Sequence, residues 1–492
     1  MTRNCIQFRR NDRTIRLDRF SPQSTVLDWL RLEERSTGTK EGCAEGDCGA
    51  CTVVIARERD GHLVYEPVNA CIATLGQLDG GDLITVEDLA QEGKLHSVQT
   101  AMAAGHGSQC GFCTPGIVMS LFAHFHGDGE RTDRAKINDC LAGNLCRCTG
   151  YRSIVDAARD ACAGPMTDRF VANEAGAIAA LRALQDRADV FVGNDSAFFA
   201  APASEASLAS LYQRHPDARI IGGATDVGLW ITKRLASIDK IIHVGRAGLD
   251  GIEETADALH IGASVTLARA ASPLASISPD IAEIVRRFGS VQVRAAGTVG
   301  GSIANASPIG DLAPLFIALG GSVELRKGDL VRAMPLEQFF VGYGKQDREA
   351  SEFVRRLIVP KLPPATYFKA FKISKRFDED ITTVLGAFRI GVDGGRIASA
   401  RIAFGGMAAI PKRAMAVEGQ LVGAALHDVG TWRSAAERVG DDFTPLTDVR
   451  ASSEYRIGVA RNIVIKALAE IAGVSSPVTR ILDSREVVHV AD

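Results

Sequence analysis

The pattern of hydrophobic and polar positions changes along the chain. In residues 1–85, short runs of alternating or β-branched apolar positions, such as 6–8 and 51–56, predict β-strands. From 86 to 163 the apolar positions recur at helical spacing, as in 116–122, and predict helices. Further along, strands and glycine-rich turns alternate with helices up to a final helix. These patterns predict an α+β protein with several domains.

A chain of 492 residues has room for about three domains of roughly 150 residues each. The hydrophobic pattern divides it further, because the first third splits into a strand-rich and a helical part. Between the helical part and the next strands lies a stretch with alanine-rich pieces and several prolines, which predicts a linker. The predicted ranges are 1–85, 86–163, a linker at 164–194, 195–370 and 371–492.

Net charge and the lack of targeting patterns bear on which partners and location the sequence predicts. The formal net charge is −3, from 56 basic and 59 acidic residues, which offers no basic field for holding nucleic acid by counterion release. No apolar run approaches the ~18 residues of a membrane-spanning helix. The arginines at 9 and 10 are not followed by the hydrophobic region of a twin-arginine signal. We therefore expect a cytoplasmic protein with neither a nucleic-acid nor a membrane partner.

All 11 cysteines lie in the first third of the chain, between Cys5 and Cys162. Cytosolic thiols stay reduced, so clustered cysteines there indicate metal or redox chemistry and exclude a uniform disulfide scaffold. Eight of them form two motifs. Cys5, Cys140 and Cys162 stand outside both motifs, and we expect ordinary side chains there instead of ligands.

The first cysteine motif has the spacing C-x4-C-x2-C, with a fourth cysteine 20 residues later. This is the spacing of plant-type [2Fe–2S] sites, in which backbone N–H groups directed at the sulfurs stabilise an anionic centre. Glycines at 42, 46 and 49 would let the loop adopt the conformations that this wrapping requires. A zinc site is the main alternative, but it usually presents two C-x2-C pairs. The predicted ligands are Cys43, Cys48, Cys51 and Cys71.

The second cysteine motif consists of two pairs, C-x2-C and C-x-C, separated by about 30 residues. Each pair is followed by threonine and an apolar helical run, and Thr114 and Pro115 fit the N-cap and first position of a helix. A helix start favours thiolate charge. A second [2Fe–2S] cluster and a zinc ion both suit this spacing, and the neighbouring iron–sulfur motif favours the cluster. The predicted ligands are Cys110, Cys113, Cys146 and Cys148.

Two glycine-rich loops in the third predicted domain could hold a phosphate. The first, 222–228, follows a predicted strand and leads into a helix beginning near Val227, and the second is 296–311. Such turns offer backbone N–H groups to an anion. Neither loop matches the G-x-G-x-x-G or P-loop patterns, and for each one alone an ordinary structural turn is an equally good interpretation.

The cysteine motifs resemble those of the molybdenum hydroxylases. CAEGDCGACTVV from Cys43, QCGFCTPG from Gln109 and GNLCRCTGY from Gly143 are similar to the two iron–sulfur domains of that family. Within that family, the fusion of two iron–sulfur domains to a flavin domain in one chain resembles the small subunit of the bacterial xanthine dehydrogenases. The resemblance implies, in the order of the ranges above, a β-grasp plant-type ferredoxin domain, an all-α helical-bundle [2Fe–2S] domain, an α+β FAD-binding domain and a C-terminal α+β flavoprotein domain.

The resemblance also implies which residues contact FAD. The pyrophosphate would be wrapped by Ile220, Ile221, Gly222, Gly223, Ala224, Thr225, Asp226 and Val227. The flavin or its phosphates would be contacted by Phe288, Thr298, Gly301, Ser302, Asn305, Asp311 and Lys372. Ser302 replaces an asparagine that is common in the family, which implies a shorter or water-mediated contact. Asp378 to Asp380 would border the approach of the nicotinamide, whereas for Lys375, Arg376 and Glu379 we favour a solvated charged run.

The function implied by the resemblance is electron transfer. Electrons would come from a molybdenum–pterin centre that hydroxylates xanthine to urate in a separate large subunit, within a heterotetramer of two small and two large chains. They would pass through two [2Fe–2S] clusters to FAD and on to NAD. No catalytic acid, base or nucleophile is expected in this chain. Two alternatives stay open: the same role with an aldehyde or another N-heterocycle as substrate, and a non-enzymatic iron–sulfur redox-sensing module.

Overall fold

The computed structural model describes residues 2–474, and residues 475–492 of the predicted C-terminal domain lie outside the described residues. Four folded regions follow one another along the chain in a multidomain α+β layout, as predicted. Over residues 2–474, no helix combines the length and the apolar character needed to cross a bilayer.

The first region is a mixed five-stranded sheet with a short helix. The helix begins where Thr25, its N-cap, accepts a hydrogen bond from the Asp28 N–H (3.0 Å). The strand order is β3-β2-β6-β4-β5, with β2 and β6 parallel. The elements are β1 (Thr2–Arg3), β2 (Ile6–Arg10), β3 (Arg13–Leu17), α1 (Val26–Asp28) continuing as a π-helical turn (Trp29–Glu33), β4 (Thr52–Arg59), β5 (His62–Asn69), β6 (Asp82–Ile84) and the 3-10 turns Leu75–Leu78 and Val86–Asp88.

The second region is helical. Its core is formed by apolar faces of four helices together with side chains on β4 of the first region. Cys140 and Cys162 are buried in this core, whereas Cys5 is half-buried in the first region. The helices are α2 (Ser97–Ala104), α3 (Thr114–Phe125), α4 (Arg134–Leu141) and α5 (Arg152–Ala163).

The segment predicted as a linker, 164–194, contains α6 (Arg169–Ala172), α7 (Glu174–Leu184) and β7 (Asp189–Asn194). Asp168 fastens it to the helical region, because its carboxylate lies 2.8 Å from His96 Nε2 and 2.9 Å from His126 Nε2. Burial raises the pKa of Asp168, but the hydrogen bonds from His126 and His96 outweigh it and hold this pKa well below its usual range. This stretch is therefore structured and tied to its neighbours.

The third region contains two five-stranded sheets and, near its end, a two-stranded sheet. In the first, β1 from the start of the chain pairs with β7, in the order β1-β7-β8-β10-β9, and the second has the order β11-β12-β17-β13-β14. The elements are β8 (Ala197–Ala201), α8 (Glu205–Arg214), β9 (Arg219–Ile221), α9 (Val227–Thr232), β10 (Lys240–His243), β11 (Ile252–Glu254), β12 (Ala258–Gly262), α10 (Leu267–Ala275), α11 (Pro279–Arg286), α12 (Val291–Ala296), α13 (Val299–Ala304), α14 (Leu312–Leu319), β13 (Ser322–Lys327), β14 (Leu330–Pro335), α15 (Leu336–Phe339), β15 (Phe340–Gly342), β16 (Lys345–Gln346) and β17 (Phe353–Pro360).

The fourth region is an antiparallel sheet, β18-β19-β20-β21, packed against helices. The predicted boundary at residue 370 falls inside β18. The elements are β18 (Thr366–Ile373), β19 (Val384–Asp393), β20 (Arg396–Gly405), β21 (Lys412–Arg413), α16 (Met415–Leu421), α17 (Val429–Glu437), α18 (Val439–Asp442) and α19 (Ser453–Ile471).

The regions share hydrophobic cores instead of merely touching. Phe8 and Ile72 of the first region lie in one buried cluster with Phe199 and Ile221 of the third. At Gly76 a Cβ atom would lie 2.2 Å from the Phe199 ring, so this contact leaves no room for a side chain. The first and third regions are thereby held in direct contact next to the candidate sites.

Candidate cofactor-binding sites

The four cysteines of the first motif come together at the end of the β4–β5 hairpin. The sulfurs of Cys51 and Cys71 lie 3.2 Å apart. The backbone N–H groups of Glu45 and Cys48 point at Cys43 Sγ, at 3.4 and 3.3 Å. A hydrogen bond from the Cys48 thiol, aided by these N–H groups and opposed by burial, lowers the pKa of Cys43 to about 5. These hydrogen bonds therefore favour the thiolate form of Cys43.

Two glycines of this loop have backbone conformations that disfavour a side chain. Gly46 and Gly49 have φ values of +76° and +68°, and a Cβ at Gly49 would lie 2.0 Å from the carbonyl oxygen of Gly143. Gly42, for which the sequence predicted the same role, is not among the residues with positive φ. Its requirement is steric instead, since a Cβ there would lie 2.7 Å from Cys48 Sγ.

The four cysteines of the second motif form two close pairs. Burial, together with a hydrogen bond between Cys113 and Cys146, raises the pKa of Cys113 to about 12, and the hydrogen bond that Cys148 donates to Cys110 raises the pKa of Cys148. Cys110 and Cys148 are exposed. The predicted cap of α3 is wrong by one residue: Cys113 is the N-cap, and the Thr114 hydroxyl donates to Ser108 Oγ at 2.7 Å. A predicted ligand thus occupies the helix start itself, where thiolate charge is favoured.

Tyr151 and Thr149 organise the second motif around Cys146. The Tyr151 hydroxyl accepts a hydrogen bond from the Cys146 N–H (2.7 Å) and donates one to the Asn144 carbonyl (2.9 Å). Thr149 Oγ1 lies 3.2 Å from Cys146 Sγ. Burial opposes ionisation, but the hydrogen bonds from Thr149 lower the pKa of Cys146. Metal ligands must be deprotonated, so metal binding at either motif would be coupled to the release of thiol protons.

The two motifs fit a metal–sulfur cluster by the chemistry of their donors. Each brings together four thiols, and in each a hydrogen-bonded cysteine has a lowered pKa. The first adds backbone N–H groups directed at a sulfur, as anionic [2Fe–2S] centres require. The predicted ligand sets are thus brought together in space, and their assignment to clusters stays a prediction.

The two cysteine loops touch each other. The Leu145 N–H, one residue before Cys146, donates to the carbonyl oxygen of Cys48 at 2.9 Å. Asn144 Nδ2 donates to the carbonyl oxygen of Gly49 at 3.1 Å. The backbone of one motif is thereby hydrogen-bonded directly to the backbone of the other.

A buried glutamine of the third region closes this junction. Gln292, on α12, is 1% exposed. Its Nε2 lies 3.0 Å from Ser120 Oγ, 3.0 Å from Asn144 Oδ1 and 3.3 Å from Thr52 Oγ1. Thr52 directly follows Cys51, a predicted ligand of the first motif, and Asn144 lies two residues before Cys146, a predicted ligand of the second. One side chain therefore joins three regions.

The two glycine-rich loops lie against each other in the third region. The first leads from β9 into α9, which begins at Val227 as predicted. A Cβ at Gly222 would lie 2.7 Å from Thr298 Oγ1, and one at Gly223 would lie 1.8 Å from the carbonyl oxygen of Ala296. Thr298 also caps α13 by accepting from the Gly301 N–H at 3.0 Å. Two short helices thus start side by side at glycine-lined loops, an arrangement that fits a dinucleotide pyrophosphate.

The remaining predicted FAD residues are spread around these loops. Gly301 and Asn305 are exposed and Ser302 is half-buried, so this face of the second loop is open to a ligand. Phe288 is half-buried and packs against the core of the third region, the default for such a residue. Asp311 is buried at the start of α14. Their contacts with FAD stay predictions.

Asp311 and Lys372 form a buried ion pair between the third and fourth regions. Lys372 Nζ lies 2.6 Å from Asp311 Oδ2 and donates to the Arg287 carbonyl at 3.2 Å. The Thr382 hydroxyl donates to Asp311 Oδ1. The side chains of Lys372 and Asp311 are 2% and 7% exposed. Lys372 is therefore held by protein groups at the edge of the predicted flavin site.

The charged run after β18 is only partly solvated. Lys375 and Arg376 are exposed, as expected. Glu379 differs, since burial, with the nearby Asp47 carboxylate, raises its pKa to about 8. Glu379 is half-buried because its loop packs against a loop that is distant in sequence, and no local sequence pattern indicates this contact.

Several residues at these sites were not predicted from the sequence. Asn144 and Tyr151 stand inside a cysteine motif, so proximity to the ligands was an available signal. Gln292 and Lys233 reach the cysteine loops from the third region, and only the tertiary fold brings them there.

Four family models match successive parts of the chain. They are a 2Fe-2S iron–sulfur cluster binding domain (residues 8–75), a [2Fe-2S] binding domain (85–159), the FAD binding domain in molybdopterin dehydrogenase (194–362) and the CO dehydrogenase flavoprotein C-terminal domain (369–471). The iron–sulfur models span both cysteine motifs, and the FAD model spans both glycine-rich loops.

Similar proteins are longer than this chain. The xanthine dehydrogenase of Emericella nidulans is 31% identical over 501 residues, which cover 89% of this chain and 36% of that protein. Xanthine dehydrogenase 1 of Arabidopsis thaliana is 31% identical over 473 residues, covering 81% of this chain and 34% of that protein. The chain thus spans about a third of the length of these relatives.

Two solved structures share part of the fold. A chain of the Cu,Mo-CO dehydrogenase is 25% identical with a TM-score of 0.53, covering 56% of this chain and 98% of its own. A chain of quinoline 2-oxidoreductase from Pseudomonas putida 86 is 27% identical with a TM-score of 0.51, covering 56% of this chain and 96% of its own. With its two cysteine motifs, its glycine-rich loops and these matches, the chain carries the [2Fe–2S] and FAD-binding domains of the molybdenum hydroxylase family.

Proposed function

We propose that this chain is the electron-transfer subunit of a xanthine dehydrogenase. In the overall reaction, xanthine, NAD⁺ and water give urate, NADH and a proton, with the oxygen coming from water and two electrons passing to NAD⁺. When bound, [2Fe–2S] clusters carry single electrons, and FAD exchanges one or two electrons with a nicotinamide. The chain's own residues bind, space and tune these groups.

The contact between the candidate sites carries this proposal. The backbone bond from Leu145 to the Cys48 carbonyl joins the two cysteine loops, and Gln292 joins both to the region that carries the glycine-rich loops. Electron transfer requires cofactors that are close together and held at fixed distances. Buried hydrogen bonds and shared cores supply such fixed spacing, whereas a flexible arrangement of domains would not.

The proposal includes a partner and a setting. The substrate would be oxidised at a molybdenum–pterin centre on a large partner subunit, in a heterotetramer of two small and two large chains. The location would be cytoplasmic and the pathway purine catabolism. The similarity to xanthine dehydrogenases supports xanthine as the substrate. NAD⁺ is the acceptor that the family resemblance implies, and the ligands and FAD residues named above would hold the cofactors.

A second candidate keeps the electron-transfer role and changes the partner's substrate. The solved structures that share the fold include a quinoline 2-oxidoreductase and a carbon monoxide dehydrogenase, which supports an N-heterocycle or another small reductant. The chain's sites are the same in both candidates, so the partner's substrate pocket distinguishes them.

The test is an assay of the chain copurified with its molybdenum partner. We expect NADH to form when xanthine and NAD⁺ are supplied together. Oxidation of quinoline or an aldehyde in place of xanthine would support the second candidate. Reduction of oxygen with no NADH formation would contradict NAD⁺ as acceptor, and absence of any electron transfer would contradict the role itself.

A further inference from the structure

The helix that follows the first glycine-rich loop lies directly on the first cysteine motif. At Gly228, on α9, a Cβ would lie 2.6 Å from the carbonyl oxygen of Ile72, the residue after Cys71. At the end of the same helix, Lys233 Nζ donates a hydrogen bond to the carbonyl oxygen of Cys43. The helix therefore contacts both halves of the predicted ligand set.

Lys233 faces a loop whose electrostatics bear directly on a bound cluster. Its ammonium lies 3.5 Å from the Glu45 carboxylate, and the Glu45 N–H points at Cys43 Sγ at 3.4 Å. Net charge, hydrogen bonds to the sulfurs and solvent exposure set the reduction potential of an iron–sulfur cluster. A cation favours the reduced, more negative form, and an anion disfavours it.

We propose that Lys233 is a positioning residue that raises the reduction potential of the first cluster and fixes its loop to the flavin-binding region. The inference rests on the proposed function, because it requires a cluster in the first motif. Lys233 neutralises Glu45 beside this cluster, and its hydrogen bond holds the Cys43 backbone so that the Glu45 N–H stays directed at the sulfur. The second cluster lies in another region and serves as an internal reference.

Neutralising Lys233 and neutralising Glu45 should shift the midpoint potential of the first cluster in opposite directions. Lys233→Gln removes the cation and should shift the midpoint potential of the first cluster to more negative values. Glu45→Gln removes the anion and should shift it to more positive values. Both side chains are about 40% exposed, 42% and 41%, so solvent screens the effect. We expect up to a tenfold change in the reduction equilibrium, which for one electron is about 59 mV.

The experiment is a redox titration of the full chain, followed by electron paramagnetic resonance of both clusters. Loss of one signal in Cys71→Ser identifies the first cluster. Lys233→Arg keeps the charge and should retain the wild-type potential. Lys412→Gln is the matched control, since Lys412 is also exposed and donates to a backbone carbonyl, that of Asp442, at 2.8 Å in the fourth region.

Opposite shifts of the first cluster in Lys233→Gln and Glu45→Gln, with the second cluster unmoved, support the inference. An unchanged first potential in both variants, or equal shifts of both clusters, overturns it while the proposed function stands. If wild-type protein binds no iron after reconstitution, the proposed function fails and the inference fails with it. Iron content measured on the same samples distinguishes these outcomes.

Discussion

The buried pair of Lys372 and Asp311 allows a quantitative test of how the third and fourth regions are joined. The two charges lie 2.6 Å apart and almost out of reach of water. Without Lys372, the Asp311 carboxylate would lose its ammonium partner and keep the hydrogen bond from the Thr382 hydroxyl. Removing one member of a buried ion pair costs about 3–5 kcal/mol, because the other charge stays buried and uncompensated.

Lys372→Met and Asp311→Asn should therefore each lower the local stability by about 3–5 kcal/mol. The double variant should cost no more than either single change, because the second substitution removes the uncompensated charge. Hydrogen–deuterium exchange of peptides from β18 measures this locally, which suits a protein with several domains. At about 1.4 kcal/mol per tenfold, we expect exchange to accelerate roughly a hundredfold or more in each single variant.

The control is an exposed pair near the same strand. Lys361 and Glu254 lie 2.6 Å apart, but their side chains are 28% and 58% exposed, so Lys361→Met should cost at most about 1 kcal/mol. Measurements with and without added FAD separate loss of cofactor from loss of the pair. Additive losses in the double variant, or unchanged exchange in Lys372→Met, would refute this account of the junction.

Three further predictions concern the other contacts. Gln292→Leu should lower the free energy of unfolding by about 1–3 kcal/mol because buried hydrogen bonds are lost. Gln292→Glu should lower it further because it buries an unpaired charge. Urea unfolding measures both, and wild-type stability in both variants would contradict this prediction. Gly49→Ala, which adds a Cβ 2.0 Å from a backbone oxygen, should reduce bound iron at least twofold. Gly61→Ala is its control, because Gly61 also has a positive φ (+89°) but nothing lies within 4 Å of its Cβ. This variant should bind as much iron as wild type, and an equal loss of iron in both variants would argue against the steric explanation. Folding depresses the pKa of Asp168, so this carboxylate stabilises the fold above about pH 4, its unfolded pKa, and the stabilisation is lost as the pH falls further. In thermal unfolding measured from pH 6 to 3, Asp168→Asn should therefore lose less stability toward acid than wild type. An unchanged dependence on pH would contradict this prediction.

The grouping of the cysteines follows from sequence patterns because the geometry within each motif is largely local. Cys43, Cys48 and Cys51 belong to one short loop, so their spacing alone restricts how the sulfurs can meet. The start of α9 at Val227 follows in the same way from a strand, a glycine turn and an apolar run. The N-cap of α3 lies one residue before the predicted Thr114, because the Thr114 hydroxyl bonds to Ser108 instead of capping the helix.

The contacts between regions could not be predicted from local patterns. Gln292 reaches Thr52 across a sequence separation of 240 residues, and Lys233 reaches Cys43 across 190. Neither residue stands in a motif, and each would be an ordinary helical or surface side chain on periodicity alone. Glu379 likewise becomes half-buried only because its loop packs against another region. These are the contacts that join the separate candidate sites into one unit.

The presence of two iron–sulfur clusters and one flavin in this chain is the central claim, and the cofactor content of the full chain tests it most directly. Purified and reconstituted protein should contain four irons and one FAD per chain, with two distinct cluster signals by electron paramagnetic resonance. Two bound zinc ions with no flavin would contradict the account.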